Sequence, residues 1–255
     1  MLAPMRLGFI GAGNMASALA RGLGEPALVS DIDRSRAEAL AKEIGGEAAD
    51  DNAAVAAGSD VVVLCHKPAQ LAAVAEDIRD EAKAVISILG GTPIAAVEEA
   101  YPDRPVYRFM PSIPVEVRQG VLCYAPGRHA SEGPEQEIRE LFGRLGTLID
   151  LPDSSIDTAT AIMGCAPAFY SLVIEALVDA GVAQGLSADL AATMAVESMA
   201  GTAAVLRQGD NDTRELRRRV TSPGGMTARG LVALERGGVR AAFEDAVEAA
   251  AGTGS

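Results

Sequence analysis

The sequence predicts a chain in two parts: an α/β domain on a mostly parallel sheet over residues 1–152, and an all-α domain over residues 153–255. Three observations predict it. Short β-branched runs alternate with helical patterns as far as Leu151, such runs almost vanish from 153 to 252, and a glycine-rich turn follows the first of them.

The runs "RLGFI", "ALVSD", "VVVLC", "AVISI" and "PVYRF" have the length and β-branched content of buried strands. Between them lie segments such as "PAQLAAVAEDIRD", where Leu71, Val74 and Ile78 share one helical face. This alternation implies βαβ units, whose strands lie parallel. "GVLCYAP" and "GTLIDL" add two later strands around a helix containing Leu141, Phe142 and Leu145. After "LPDSS" the pattern changes: "FYSLVIEALVDAGVAQG" and "DLAATMAVESMAGTAAVLRQG" carry apolar residues at helical spacing and end in Gly. The apolar stretch 159–174 contains Pro167 and meets Glu175 short of the ~20 residues that span a bilayer, so it reads as a buried helix. The helices of this half are apolar over wider faces than about 100 residues bury alone, which predicts a homodimer or higher homo-oligomer built on it.

Composition narrows the function. Lys and Arg total 22 against 35 Asp and Glu, a formal charge of −13, which repels a phosphate backbone and argues against a nucleic-acid partner. Cys65, Cys123 and Cys165 are odd in number and form no CxxC pair, so no disulfide scaffold is expected. "MLAPMRLGFIGAG" runs into a strand without the pattern of a signal peptide. A cytoplasmic protein with no membrane partner is the expectation.

"RLGFIGAGNMA" places Gly11, Gly13 and Ala16 in a GxGxx(G/A) pattern after the first strand and at the start of a helix. Missing side chains allow a tight turn and let backbone N–H groups approach a pyrophosphate, which the helix N-terminus favours. Asp31, closing the second strand, completes the fingerprint of a Rossmann-type domain. An acid there bonds the adenosine ribose and repels a 2′-phosphate, which points to NADH; Arg34 and Arg36 close by are able to grip that phosphate, so NADPH stays open. The two histidines, His66 and His129, are too few for a three-His zinc site, no HExxH or GxSxG motif occurs, and no metal is expected. The reading is a reductase with little acid–base apparatus, suited to an already polarised C=N bond. His66, following the strand "VVVLC", reads as an ordinary strand-end residue, with a place in the wall of the cofactor cleft as the alternative.

Several stretches together resemble the pyrroline-5-carboxylate reductase family, the last enzyme of proline biosynthesis. "IGAGNMA" resembles its cofactor loop and "LCHKP" its Leu-x-x-Lys-Pro turn. "GCAPAFYSLVIEALVDAGVAQGL" is similar to its GSGPAY helix with the EAL-DAGV-GL stretch after it, and "VTSPGGMTARGLVALERGG" to its VTSPGGTT signature. The resemblance implies a Rossmann domain, a C-terminal helical dimerisation domain, and NADPH- or NADH-dependent reduction of the cyclic imine L-1-pyrroline-5-carboxylate to L-proline. It implies that Gly11, Ala12, Gly13, Asn14, Met15 and Ala16 hold the pyrophosphate, that Asn52 lies on the adenosine side, and that Cys65, Lys67 and Pro68 pass near the nicotinamide. It also implies that Ser222, Gly224, Gly225 and Met226 take the substrate carboxylate on backbone N–H groups and a hydroxyl, while Thr227 bonds the ring nitrogen. Locally, Ser222 reads as the N-cap and Pro223 as the first position of the helix after it.

The chain also departs from the family. "MPSIP" stands for Met-Pro-Asn-Thr-Pro, "GCAPAF" has Cys165 and Ala166 for Ser and Gly, "SILGG" stands for an SxxAG pattern, and "QGDNDTREL" lacks a His-Pro. Two alternatives therefore stay beside the proline-forming reductase: a paralogue for a related cyclic imino acid, and an NAD(P)-binding regulatory protein without turnover. Hydroxyacid-type reductases of this plan use a helix-borne Lys base, and no Lys follows Lys83.

Overall fold

The structure is a computed structural model that describes residues 5–252; the ends of the two expected domains, residues 1–4 and 253–255, lie outside the described residues. In chain order, β1 (Leu7–Ile10) leads into α1 (Asn14–Leu23), β2 (Ala27–Ser30) into α2 (Arg34–Ile44), and β3 (Glu47–Ala48) into α3 (Asn52–Gly58). Then come β4 (Val61–Leu64), α4 (Leu71–Ile78), β5 (Val85–Ser87), α5 (Ile94–Ala100) and β6 (Val106–Pro111). β7 (Gly120–Pro126), α6 (Glu135–Gly143), β8 (Gly146–Asp150) and α7 (Asp153–Met163) complete this part.

The strands form one sheet in the order β3-β2-β1-β4-β5-β6-β7-β8, parallel except where β6 meets β7. β1 and β4 are buried at every position, as strands covered on both faces must be. Successive side chains alternate between two cores: Phe9, Val61 and Val63 join Leu19, Leu40 and Phe142 on one face, whereas Ile10, Val62 and Leu64 join Val55, Ile78 and Val97 on the other. The order of strands reverses between β1 and β4, and this switch point opens a crevice at their carboxyl ends. The expected strands are all present. β3, two residues long, escaped the sequence reading because so short a run shows no periodicity.

Compact units divide the chain at Met1–Gly164 and Cys165–Ser255, so α7 belongs with the sheet, although the change of pattern falls before it. Arg108 on β6, 1% exposed, explains this. Its Nη1 donates to Asp153 Oδ1 at 2.7 Å and its Nη2 to Asp157 Oδ1 at 2.8 Å, two acids four residues apart on one face of α7. Between them Ile156 is fully buried beside Met110 and Cys123.

The second unit holds α8 (Ala166–Ala183), α9 (Ala188–Gln208), α10 (Thr213–Arg219), α11 (Met226–Arg236) and α12 (Val239–Ala250). α8 and α9 form a hairpin turned at Gly185 (φ 96°), with Ser187 Oγ accepting from the Leu190 N–H to start α9. The sequence departure at "QGDNDTREL" is a turn in which Asp210 and Asn211 take positive φ, and the Asp212 carboxylate caps α10 on the N–H groups of Arg214 and Glu215. The expectation of a buried helix over 159–174 is corrected. The stretch breaks at Gly164 and Cys165, and α8 contains no buried residue in the single chain. Asp153–Ala183 is long and apolar enough to cross a membrane by length and composition alone.

Candidate active site

The crevice at the switch point is about 790 Å³ and is lined by Gly11, Gly13, Ser30, Asp31, Asn52 and Lys67, among others. Two glycines of the loop do different things. Gly11 has φ 102°, and a Cβ there would lie 2.7 Å from the Cys65 carbonyl carbon, so the crossing of the β1 and β4 loops requires Gly. Gly13 has open space where its Cβ would be. It is the N-cap of α1, which has no side-chain cap and no acid in its first turn. The N–H groups of that turn have no intrahelical acceptor and face the positive end of the helix dipole. This uncapped terminus beside an open glycine is what a dinucleotide pyrophosphate requires, so the residues present fit the group.

The remaining expected cofactor residues divide by environment. Ala12, Gly13 and Asn14 also line an adjoining recess with Ser17, Arg21 and Arg36. The side chains of Met15 and Ala16 pack toward the core, which leaves only their backbone N–H groups at the start of α1 for a ligand. Asn52 begins α3; its Oδ1 accepts from Ser30 Oγ at 2.8 Å and its Nδ2 donates to Asp77 at 3.1 Å, which fixes the amide in the crevice wall. Asp31 accepts from the Ala12 N–H at 2.7 Å and the Asp33 N–H at 2.8 Å. Burial pushes the Cys65 thiol pKa up, which keeps it un-ionised. Lys67 is exposed at the crevice and precedes a 3-10 turn that starts at Pro68.

Several crevice residues were passed over in the sequence. Ser30, Asp51, Gln70 and Asp77 line it, and Ile32 stands 97% exposed at its edge. Only Ser30 and Ile32, flanking Asp31, carried a positional signal. His66, which the sequence leaves between a plain strand end and the cleft wall, lines the crevice. Its Nδ1 lies 2.9 Å from the Lys67 carbonyl, which only accepts, so Nδ1 carries the proton and Nε2 the lone pair. That Nε2 is buried without a partner among the described residues, and burial lowers the imidazole pKa, so the ring is neutral near pH 7.

The second group of expected residues lies in the helical unit and is described by itself. Ser222 is not an N-cap. Ser222, Pro223, Gly224 and Gly225 form a turn closed by the Gly225 N–H on the Ser222 carbonyl at 3.0 Å, with Gly224 at φ 70°. Pro at the second position and a positive-φ Gly at the third are the signature of a type II turn. The helix starts one residue after the turn, with Gly225 as its N-cap and no side-chain cap. Gly225 is thus spent on the turn: its N–H is used, and a Cβ there would meet Ser222 Oγ at 2.3 Å. Met226 and Thr227 lie in the uncapped first turn of α11, both exposed. Arg229 Nη1 braces the turn by donating to the Gly224 carbonyl at 2.7 Å.

The altered "MPSIP" also has a local explanation. Ser112 is buried, its N–H donating to the Val121 carbonyl and its Oγ accepting from the Val121 N–H, so it extends the β6–β7 ladder.

Comparison with known proteins places these features in one lineage. The family model for pyrroline-5-carboxylate reductase dimerisation matches residues 153–254, and that for coenzyme F420-dependent NADP oxidoreductases matches residues 6–91. A pyrroline-5-carboxylate reductase of Methanosarcina acetivorans is 35% identical over 95% of this chain and 94% of its own. Among solved structures, a Plasmodium falciparum pyrroline carboxylate reductase with NADP bound has a TM-score of 0.88 at 30% identity, covering 98% of this chain and 96% of its own. A 1-pyrroline-5-carboxylate reductase of Streptococcus pyogenes has a TM-score of 0.89 at 26% identity, covering 98% and 97%. With a dinucleotide crevice, a type II turn before an uncapped helix and relatives matched along nearly its whole length, this chain belongs to the pyrroline-5-carboxylate reductase family.

Proposed function

We propose that this chain catalyses the NAD(P)H-dependent reduction of L-1-pyrroline-5-carboxylate to L-proline in the cytoplasm, as a homodimer or higher oligomer built on its helical unit. Family membership supplies the reaction. The observation on this chain that carries it is the uncapped N-terminus of α11 behind the Ser222–Gly225 turn, with Thr227 in its first turn.

A nicotinamide dinucleotide, when bound, supplies the hydride that the imine carbon receives. Gly11 lets the loop cross β4, and the open face of Gly13 with the N–H groups of Asn14, Met15 and Ala16 takes the pyrophosphate. Asn52 lines the adenosine side, and Cys65, Lys67 and Pro68 line the nicotinamide side. The N–H groups of Met226 and Thr227, at the positive end of α11, hold the substrate carboxylate, and the Ser222 hydroxyl adds a donor. Gly224 leaves room for it, whereas the Gly225 N–H is committed to the turn. The Thr227 hydroxyl hydrogen-bonds the ring nitrogen, which ends as a secondary amine carrying one more proton. Orientation of the imine supplies most of the acceleration, since the C=N bond is polarised before it binds.

The test is oxidation of NADH and NADPH by purified protein with pyrroline-5-carboxylate, a six-membered cyclic imine and an open-chain keto acid. Turnover with the five-membered imine is expected, and none with either cofactor rejects the assignment. A preference for the six-membered ring identifies a paralogue instead. Thr227→Ala is expected to lower kcat by about 10²-fold, the scale of a lost catalytic proton contact, with dinucleotide affinity unchanged. Unaltered kinetics remove Thr227 from the mechanism.

A further inference from the structure

The family model over residues 6–91 describes NADP enzymes, and the Plasmodium relative was solved with NADP. The second strand of this chain ends differently from what a 2′-phosphate needs. The Asp31 carboxylate bridges two segments: Oδ2 accepts from the Ala12 N–H of the glycine loop at 2.7 Å, and Oδ1 accepts from the Asp33 N–H of the β2–α2 turn at 2.8 Å. In this fold the adenosine ribose lies between those two segments. Two backbone donors that converge there are therefore already bound to an anion belonging to the chain.

The neighbouring charges reinforce the exclusion. Asp31, Asp50, Asp51 and Asp77 line the crevice, against Arg36 and Lys67 as its lining cations, so the wall is net negative. Arg34 is committed elsewhere, its Nε to Glu38 at 2.9 Å and its Nη1 to Asp50 at 3.0 Å. Arg36 is the cation best placed for a phosphate, because it lines both the crevice and the recess beside Gly13, but Asp33 stands 3.6 Å from it. A carboxylate has about four lone-pair sites, and two hydrogen bonds leave Asp31 able to accept from the hydroxyls of an unphosphorylated ribose. An ordinary ribose thus finds acceptors where a 2′-phosphate finds a like charge and occupied donors.

We propose that the Asp31 carboxylate, held by the N–H groups of Ala12 and Asp33, occupies the place of a 2′-phosphate and makes this chain select NADH over NADPH. The inference rests on the reading that this crevice binds a nicotinamide dinucleotide. It separates from that reading experimentally, because affinity for each dinucleotide is measurable without any imine.

The experiment is equilibrium titration of the intact protein with NADH and with NADPH, followed by nicotinamide fluorescence, together with kcat/KM for both on the same imine. NADH is expected to be favoured by about 10- to 100-fold, since each 1.4 kcal/mol of discrimination is tenfold. Asp31→Ser, which removes the anion and frees both donors, is expected to bring the two affinities together or invert them. Asp31→Asn keeps the shape and removes the charge, and is expected to narrow the gap with less disturbance of the loop. Adding Arg36→Gln to Asp31→Ser should cancel the gain in NADPH. Comparable or tighter binding of NADPH by the unaltered protein overturns the inference while leaving the crevice a dinucleotide site. A ratio unmoved in both Asp31 variants also overturns it. Binding of neither dinucleotide overturns this inference and the proposed function together.

Discussion

The two compact units solve the problem of apolar surface in opposite ways. In Met1–Gly164, two cores flank the sheet, and Leu19, Val55, Val63, Ile78, Phe109 and Phe142 are all fully buried. In Cys165–Ser255, the buried residues among those described are Ala191 and Ala195 on α9, while Tyr170, Leu172, Leu177, Met194 and Leu234 are each more than half exposed. A sheet closes on its own helices. A set of helices as apolar as these needs a second surface to cover it, since contiguous apolar patches on this scale mark interfaces. The region matched by a dimerisation family, residues 153–254, takes in α7 and nearly all of the unit that leaves its apolar residues uncovered. The difference teaches that one rule acts on both units: the first satisfies it within the chain, and the second leaves apolar surface that a partner is expected to cover.

Substitutions in the two units break that comparison in different ways. The largest effect belongs to Phe142, which is fully buried and packs on Phe109 with ring centroids 4.5 Å apart. Phe142→Ala is expected to lower the unfolding free energy by about 3–5 kcal/mol, measured by denaturant titration, at any protein concentration. A loss below about 1 kcal/mol would show that this core relaxes around the cavity. Leu172 on α8 is 66% exposed in the single chain. Leu172→Glu is expected to shift the assembly toward monomer in light scattering and to make Tm lower and concentration-dependent, because oligomers gain stability by mass action. An unchanged molar mass would place the interface away from this face of α8.

The smallest effect concerns Asp60, which joins the start of β1 to β4. It accepts from the Arg6 N–H at 3.0 Å and pairs with the Arg6 guanidinium and with Lys83, and these bonds lower its carboxyl pKa from 3.8 to about 2. A depressed carboxylate stabilises the fold above about pH 4 and loses that contribution as pH falls through about 2. Because the side chain is well exposed, solvent screening limits the gain to roughly 1 kcal/mol or less. Asp60→Asn should flatten the fall in Tm between pH 4 and 2 and leave the oligomer untouched. A shift in molar mass instead would tie this pair to the helical unit.

Much of the site was legible because it depends on local backbone chemistry. Gly11, Gly13 and Asp31 stand at fixed offsets from a strand, and those offsets carry the same meaning wherever they occur. Asp77, by contrast, reaches Asn52 only because α4 packs beside α3, and nothing in the residues around it announces that contact. The Ser222 reading failed for a related reason. Ser-Pro before a helix suits a cap and a type II turn alike, and Gly224 at positive φ decided for the turn, displacing the cap to Gly225.

By itself the sequence determined the alternation of strands and helices, the glycine loop, the acid that ends β2 and the apolar excess of the last hundred or so residues, because each is a property of neighbours along the chain. Only the tertiary structure decided that Gly11 is glycine because Cys65 crosses it, that Arg108 draws α7 to the sheet, and that both oxygens of Asp31 are held by Ala12 and Asp33. Those facts depend on which segments the fold brings within a hydrogen bond of one another. Separation along the chain does not encode that distance.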